Sequence, residues 1–310
     1  MKSEATASAT IANLGPGFDV LGLCLEGPRD RVAAELTTTG QVEIVAITGD
    51  DGRLPLAADQ NCAGVAARAV LDRFADAGTG VRLWLDKGLP PGSGLGSSAA
   101  SSVAAAVATA ALIDPNLPKE MLFDATREGE RLATGSPHPD NVAPSLFGGC
   151  VACLPTDGER VDIITLPVPP DLVVVTVKPD FEVRTADARA ILPREVPMGD
   201  AVRNLGAMAA LVKAFMSGDL DLLARAFEDR LATPYRKRLI PGFDAVIEAA
   251  AQAGALGTGI SGSGPALFAL CPHRDVALDV ADAMVEAFER SGSGARAYVC
   301  GVDRQGAQIQ

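Results

Sequence analysis

The sequence predicts an α+β protein of two domains, and three observations carry that expectation. At 310 residues the chain is long for one domain and suits two of about 150. Strand-like and helix-like segments follow one another without a strict βαβ alternation. An irregular stretch at 155–160 separates two runs of such segments, so we expect domains at 1–158 and 159–310.

In order along the chain, 32–38 and 42–48 read as strands around Thr39-Gly40, a hairpin signal. Residues 61–77 are rich in Ala, Val and Leu at helical spacing and stop at Gly78. Residues 81–86 alternate as a strand does. A glycine-rich loop follows, then an alanine-rich helix over 97–112 and a second helix over 118–132. The stretch 134–145, rich in Pro, Gly and Ser, is expected to be a loop. Residues 147–154 form an apolar, strand-like run. In the second half, 161–166, 172–177, 266–270 and 295–301 read as strands. Helical spacing covers 201–216, 220–228, 243–253 and 276–290.

Composition narrows the function. The chain is 48% hydrophobic with a mean hydropathy of +0.20 but only 4% aromatic, so its core is built from aliphatic side chains. No apolar run reaches the roughly 18–20 residues of a membrane span, and the first residues carry no secretion signal. A cytoplasmic location is expected. The net charge of -12 disfavours a nucleic acid or an acidic membrane as partner. Six cysteines are scattered, and Cys150 and Cys153 sit three apart in a strand, where they face opposite sides and suit no shared metal. Buried, reduced thiols are expected.

Three motifs bear on chemistry. The first is Pro90-Pro91-Gly92-Ser93-Gly94-Leu95-Gly96-Ser97-Ser98-Ala99-Ala100. Alternating glycines let backbone N–H groups approach an anion, and the helix that follows adds the positive end of its dipole. That combination is a phosphate cradle. It is not a Walker loop, because no Gly-Lys occurs, and it does not open a βαβ unit as a dinucleotide fingerprint would. The second motif runs from Ala9 to Gly22 and holds Asn13 and Asp19, which could cap a turn or grip a substrate. The third, Gly257 to Phe268, is a glycine-dense connection containing Gly262. His273-Arg274-Asp275 spells a protein-kinase triplet but lacks the companion motifs, and reads as the polar start of a helix.

Pro-x-x-x-Gly-Leu-Gly-Ser-Ser-Ala resembles the signature loop of the GHMP kinases, and the other two segments fall in their order. The strings around Asn13 and Asp19, and Pro137-His138-Pro139-Asp140-Asn141, resemble the homoserine kinase family within them. The resemblance implies a fold with an amino-terminal domain like domain 2 of ribosomal protein S5 and a ferredoxin-like carboxy-terminal domain. It implies ATP and Mg²⁺ as cofactors, L-homoserine as substrate, threonine biosynthesis as the setting, and a homodimer. By the same resemblance, residues 90–100 bind ATP, and Ser98 with Glu130 hold the metal, with Glu128 a near alternative. Asn13, Asp19, His138, Asp140, Arg184, Thr185, Arg236 and Gly262 are implied to bind substrate, the arginines taking its carboxylate as a planar fork does. Mevalonate-type relatives place an aspartate base where this chain has Asn141, so the hydroxyl is expected to attack ATP without a carboxylate base. The rival readings are a GHMP kinase acting on mevalonate, a sugar or shikimate, and a non-catalytic sensor of ATP and a metabolite.

Overall fold

The computed structural model describes residues 2–156 and 160–310. The first sheet is built from β1 (Lys2–Ala12), β2 (Leu21–Thr37), β3 (Val42–Thr48), β4 (Gly80–Asp86), β5 (Cys150–Pro155) and β6 (Val161–Leu166). Helix α1 (Cys62–Phe74) connects β3 to β4, and α2 (Ser97–Ile113), α3 (Lys119–Thr134) and α4 (Pro139–Phe147) connect β4 to β5. The second half runs β7 (Val173–Pro179), α5 (Thr185–Ala190), α6 (Met198–Ser217), α7 (Leu220–Ala224), α8 (Thr233–Arg236), α9 (Phe243–Gln252), β8 (Gly257–Ile260), β9 (Leu267–Cys271), α10 (Arg274–Arg290) and β10 (Ala295–Cys300). A short β11 (Gln308–Ile309) pairs with β1 at the edge of the first sheet.

Alternation along β1 puts Ala5, Ala7, Ala9 and Ile11 on one buried face. Those small side chains leave room for α2, whose residues 99–110 are all buried, as expected of a helix that is apolar all round. Strand order in this sheet is β11-β1-β2-β4-β3, with β5 on the far part of β2 and β6 beyond it. The expected hairpin at 39–40 is not one. Strand β4 pairs antiparallel with β2 and parallel with β3, so it lies between the two strands that the turn joins. Local turn chemistry was there, but α1 carries the chain back to fill the gap.

The loop expected over 134–145 is also a helix from Pro139 onward. Proline at its first position fits a helix start, and Pro144 inside it supplies no N–H to the carbonyl of Asp140. That carbonyl instead faces Gly22 of β2, where an added Cβ would sit 1.9 Å away. Gly22 is therefore what lets α4 lie directly on the sheet.

Strands β7, β8, β9 and β10 form a four-stranded antiparallel sheet ordered β10-β7-β9-β8. Numbered within the unit this is 4-1-3-2 with helices after its first and third strands, the ferredoxin-like arrangement. One face, Val175, Val177, Leu267 and Ala269, packs with α9 and α10; the other, Val174, Phe268 and Leu270, joins the first core. The boundary expected between 158 and 159 lies outside the described residues. Around it, β5 and β6 pair along their full length, so the first sheet continues to Leu166. Past β10 the chain returns to that sheet through the Leu25–Val302 bridge and β11. Among the described residues no helix is long and apolar enough to cross a membrane.

Candidate active site

A cleft of about 390 Å³ opens between the glycine loop, α3, α4 and the second half of the chain. At one end the loop enters α2. Gly92, Gly94 and Gly96 have φ of +70°, +82° and +71°, which only glycine adopts without strain. Gly94 is also wedged: a Cβ there would lie 2.7 Å from the carbonyl of Gly264 and 2.8 Å from that of Ser261. Ser261 Oγ donates to the Gly94 carbonyl at 2.7 Å, and the Ala266 N–H donates to the Ser93 carbonyl at 3.2 Å. The third glycine segment thus buttresses the first. No side chain caps α2, so its leading N–H groups remain available to an anion.

Within the candidate phosphate loop, Pro91, Gly92, Ser93, Gly94, Gly96, Ser97 and Ser98 line the cleft. Leu95, Ala99 and Ala100 do not; they are buried beneath it as core, and Pro90 lies outside the lining.

Gly129 explains how Glu130 reaches Ser98. A Cβ on Gly129 would meet Ser102 Oγ at 2.3 Å, so α3 crosses α2 more closely than any other residue allows. The next residue, Glu130, then accepts a 2.7 Å hydrogen bond from Ser98 Oγ. Burial pushes the Glu130 carboxyl up to about 8, against the lowering effect of that bond. Glu128, the alternative, pairs with Arg131 at 3.2 Å and does not line the cleft.

Sequence reasoning missed Lys87. It continues the inward positions of β4 (Val81, Leu83, Leu85) and is buried, an alternation that could have flagged it. Its ammonium binds the Asp30 carboxylate, the Ser97 carbonyl at 3.1 Å and Ser101 Oγ at 2.7 Å. Asp30 also accepts from Ser101 Oγ at 2.8 Å and from the Leu89 N–H at 3.0 Å. This buried pair props the start of the loop and the first turn of α2 from below.

At the other end of the cleft the groups are side chains from distant segments. Asn13 has a φ of +73° and Asp19 of +56°. The Asn13 amide donates to the Gly262 carbonyl at 2.8 Å and accepts the Asp19 N–H at 3.0 Å, so Asn13 pins the turn that presents Asp19. The buried Arg236 donates to the Gly262 carbonyl at 2.8 Å and the Ala188 carbonyl at 3.2 Å. Its guanidinium and that of Arg189 both stack on Phe18, 5.2 and 5.3 Å from the ring centre.

Arg184 is a correction. Its side chain is 80% exposed, pairs with Asp187 at 2.8 Å, and is absent from the cleft lining. Arg189, five residues on, lines the cleft instead and forks onto Asp19 at 2.7 and 3.0 Å. Thr185 and Arg189 stand four apart on α5 and so share a face; Thr185 lines the cleft 3.4 Å from Ser263 Oγ. His138 Nε2 lies 3.0 Å from Arg189 Nη2. A guanidinium only donates, so Nε2 accepts and the imidazole is neutral, in keeping with burial lowering its affinity for a proton.

Between the two ends stand Asp140 and Asn141. Burial first, and Asp19 second, raise the Asp140 carboxyl to about 7. Asn141 Oδ1 accepts from Thr10 Oγ1 at 2.8 Å, which leaves its amide N–H groups for the cleft.

The family model for the GHMP kinase N-terminal domain matches residues 61–149, and that for the C-terminal domain matches 208–290. Those matches define the class, a GHMP kinase. The homoserine kinase of Pyrococcus furiosus is 44% identical over 298 residues, covering 96% of this chain and 97% of that protein. The homoserine kinase of Chloroherpeton thalassium is 39% identical over 98% of both chains. A crystal structure of homoserine kinase from Cytophaga hutchinsonii superposes with a TM-score of 0.95 at 41% identity, over 100% of this chain and 97% of that one. The chain belongs to the homoserine kinase family of the GHMP kinases.

Proposed function

We propose that this protein transfers the γ-phosphate of ATP to the side-chain hydroxyl of L-homoserine, giving O-phospho-L-homoserine for threonine biosynthesis. One observation carries the reading: a single cleft joins an anion cradle at the start of α2 to a pocket holding both a carboxylate, Asp19, and two arginines, Arg189 and Arg236. That second set is the complement of an α-amino acid, whose ammonium and carboxylate need opposite partners. Mevalonate, galactose and shikimate offer no ammonium for Asp19.

The nucleotide's phosphates would lie along the N–H groups of Gly94–Ser98 and the dipole of α2. Ser98 Oγ and the Glu130 carboxylate, two hard oxygen donors already 2.7 Å apart, fit Mg²⁺, which takes one or two protein oxygens and shares the rest with phosphates. When bound, that ion supplies neutralisation of charge on the transferring group. On the substrate side, the internal Asp19–Arg189 pair would open, Asp19 taking the ammonium with Asp140 beside it, and Arg189 and Arg236 the carboxylate. Neutral His138 keeps Arg189 oriented through Nε2.

No carboxylate serves as base in this reading. Asn141 donates from Nδ2 and places the hydroxyl, which attacks directly and passes its proton to phosphate or water. Catalysis rests on placement and charge neutralisation, as phosphoryl transfer permits. A homodimer and a cytoplasmic location complete the proposal.

The test is an assay of ADP formation with purified protein, ATP, Mg²⁺ and a panel of homoserine, mevalonate, galactose and shikimate. Turnover of homoserine alone is expected. Turnover of mevalonate without homoserine overturns the assignment, and no ADP with any alcohol favours a sensor.

A further inference from the structure

Arg236 is a buried cation whose hydrogen bonds go to neutral groups. It is 4% exposed, and its guanidinium donates to the carbonyls of Gly262 and Ala188. Burial first, and the charge of Arg189 second, oppose its protonated form. A buried charge needs compensation, and the Phe18 ring, negative on its face, is centred 5.2 Å from the Arg236 guanidinium carbon. Arg189 shares that ring at 5.3 Å. It also has an ion pair, with Asp19, but that pair is the one the proposed substrate would open. Once Asp19 turns to the ammonium, His138 and the ring are what remain around Arg189.

The backbone makes this ring a fixed platform. The Gly17 carbonyl accepts the N–H groups of Val20 at 2.9 Å and Leu21 at 2.8 Å, and the Asn13 side chain accepts that of Asp19 at 3.0 Å. Just before the turn, the buried Asn204 of α6 donates to the Pro16 carbonyl at 2.8 Å. Gly17 is closely packed as well, since a Cβ there would lie 2.5 Å from Leu21 Cβ and 2.7 Å from the Asn13 carbonyl oxygen. Phe18 itself is half-buried and is not part of the cleft lining. Any effect it has on substrate therefore runs through the arginines.

We propose that Phe18 is a positioning residue for the substrate's carboxylate: its ring face holds the Arg236 and Arg189 guanidiniums together while Asp19 releases Arg189 to take the ammonium. The inference rests on the kinase reading and adds to it the group that keeps two like charges in place through that exchange. Without the ring, the half-exposed Arg189 would swing into solvent, and binding would have to gather it back at an entropic cost.

The experiment is calorimetric titration of the full chain with L-homoserine, and separately with ATP, after phenylalanines bearing one, two or three ring fluorines replace Phe18. Fluorine drains negative potential from the ring face and barely alters its shape, so a side chain that only fills space is indifferent to the series. Kd for homoserine is expected to rise stepwise, by about threefold to tenfold in all, with Kd for ATP and the melting temperature unchanged. Phe18→Leu, apolar but without a π face, should lose at least as much, whereas Phe18→Tyr should stay within about twofold of the wild type. The fluorinated chains decide the matter even if Phe18→Leu folds poorly. A flat series overturns the proposal, as does a loss that ATP binding shares equally. ADP formation, assayed alongside, separates the two readings. Homoserine that binds with the graded series yet receives no phosphate overturns the kinase reading and leaves this inference standing; turnover with a flat series overturns this inference alone. A wild type that does not bind homoserine overturns it together with the amino-acid reading of the cleft.

Discussion

The two ends of the cleft are made in opposite ways. At the proposed phosphate end the candidate binding groups are backbone N–H groups of one continuous stretch, fixed by glycine geometry and propped by a buried ion pair. At the amino-acid end they are charged side chains from four segments, brought together only by the fold and already satisfying one another. Asp19, near the start of the chain, is forked by Arg189, 170 residues away. On the proposed reading the first end is preorganised for an anion, whereas the second would exchange an internal ion pair for the substrate's two charges. Their pairing with each other holds Asp19 and Arg189 close to where the proposed substrate would need them, which would limit the ordering cost of binding.

The largest expected effect falls on the phosphate end. Lys87→Met leaves Asp30 buried without its counter-charge, which costs about 3–5 kcal/mol, seen as a lower denaturation midpoint. Adding Asp30→Asn should recover part of the loss, because the two positions are coupled. In whatever fraction stays folded, KM for ATP should rise while KM for homoserine changes little. A rise in both would mean that the two ends are not separately built.

Arg236→Ala strikes the other end. We expect KM for homoserine to rise by about 2–5 kcal/mol in binding terms, with KM for ATP nearly constant. The effect of Arg189→Ala should be of similar kind but smaller, since Arg189 is half-exposed and its removal also frees Asp19 for the ammonium. Unchanged KM for homoserine in both variants would remove the arginines from the site.

This division also decides what the sequence could reveal. Residues 90–100 are one string with one geometry, so a phosphate cradle was legible without a structure, as was the long alanine helix behind it. Arg189 was not, because its role depends on α5 turning through one helical turn from Thr185, and six residues give too little periodicity to see that turn. Residues 39–40 show the same limit in the fold: the turn signal is local, while the insertion of β4 is a long-range event. Pro139 was a helix-start signal overlooked because the surrounding prolines and glycines suggested a loop.

A smaller effect tests the electrostatics of the amino-acid end. Burial raises the Asp140 carboxyl to about 7 from 3.8. Below 3.8 both the folded and unfolded chains hold that proton. Between 3.8 and 7 only the folded chain does, so unfolding releases a proton and stability falls as pH rises through that window. Asp140's share of the fall should be on the order of 4 kcal/mol at most, measured as the pH dependence of denaturant midpoints without ligands, and Asp140→Asn should make the slope shallower while leaving the part that the likewise raised Glu130 contributes. Homoserine should reverse the trend, because Asp140 attracts an ammonium only when ionised: KM is expected to drop as pH rises through 7 in the wild type and not in Asp140→Asn.

Least should happen at Arg184, and that outcome sharpens the contrast most. Arg184 and Arg189 share one short string and one charge, and sequence alone preferred the first. In the folded chain Arg184 stands in solvent against Asp187, a pairing of the kind that contributes little, while Arg189 points into the cleft and forks onto Asp19. Arg184→Ala should leave KM for homoserine, KM for ATP and the melting temperature at their wild-type values. A homoserine KM that rises as far with Arg184→Ala as with Arg189→Ala would mean that α5 rearranges when substrate binds, swinging its first residue inward. The amino-acid end would then be assembled by its ligand rather than waiting for it.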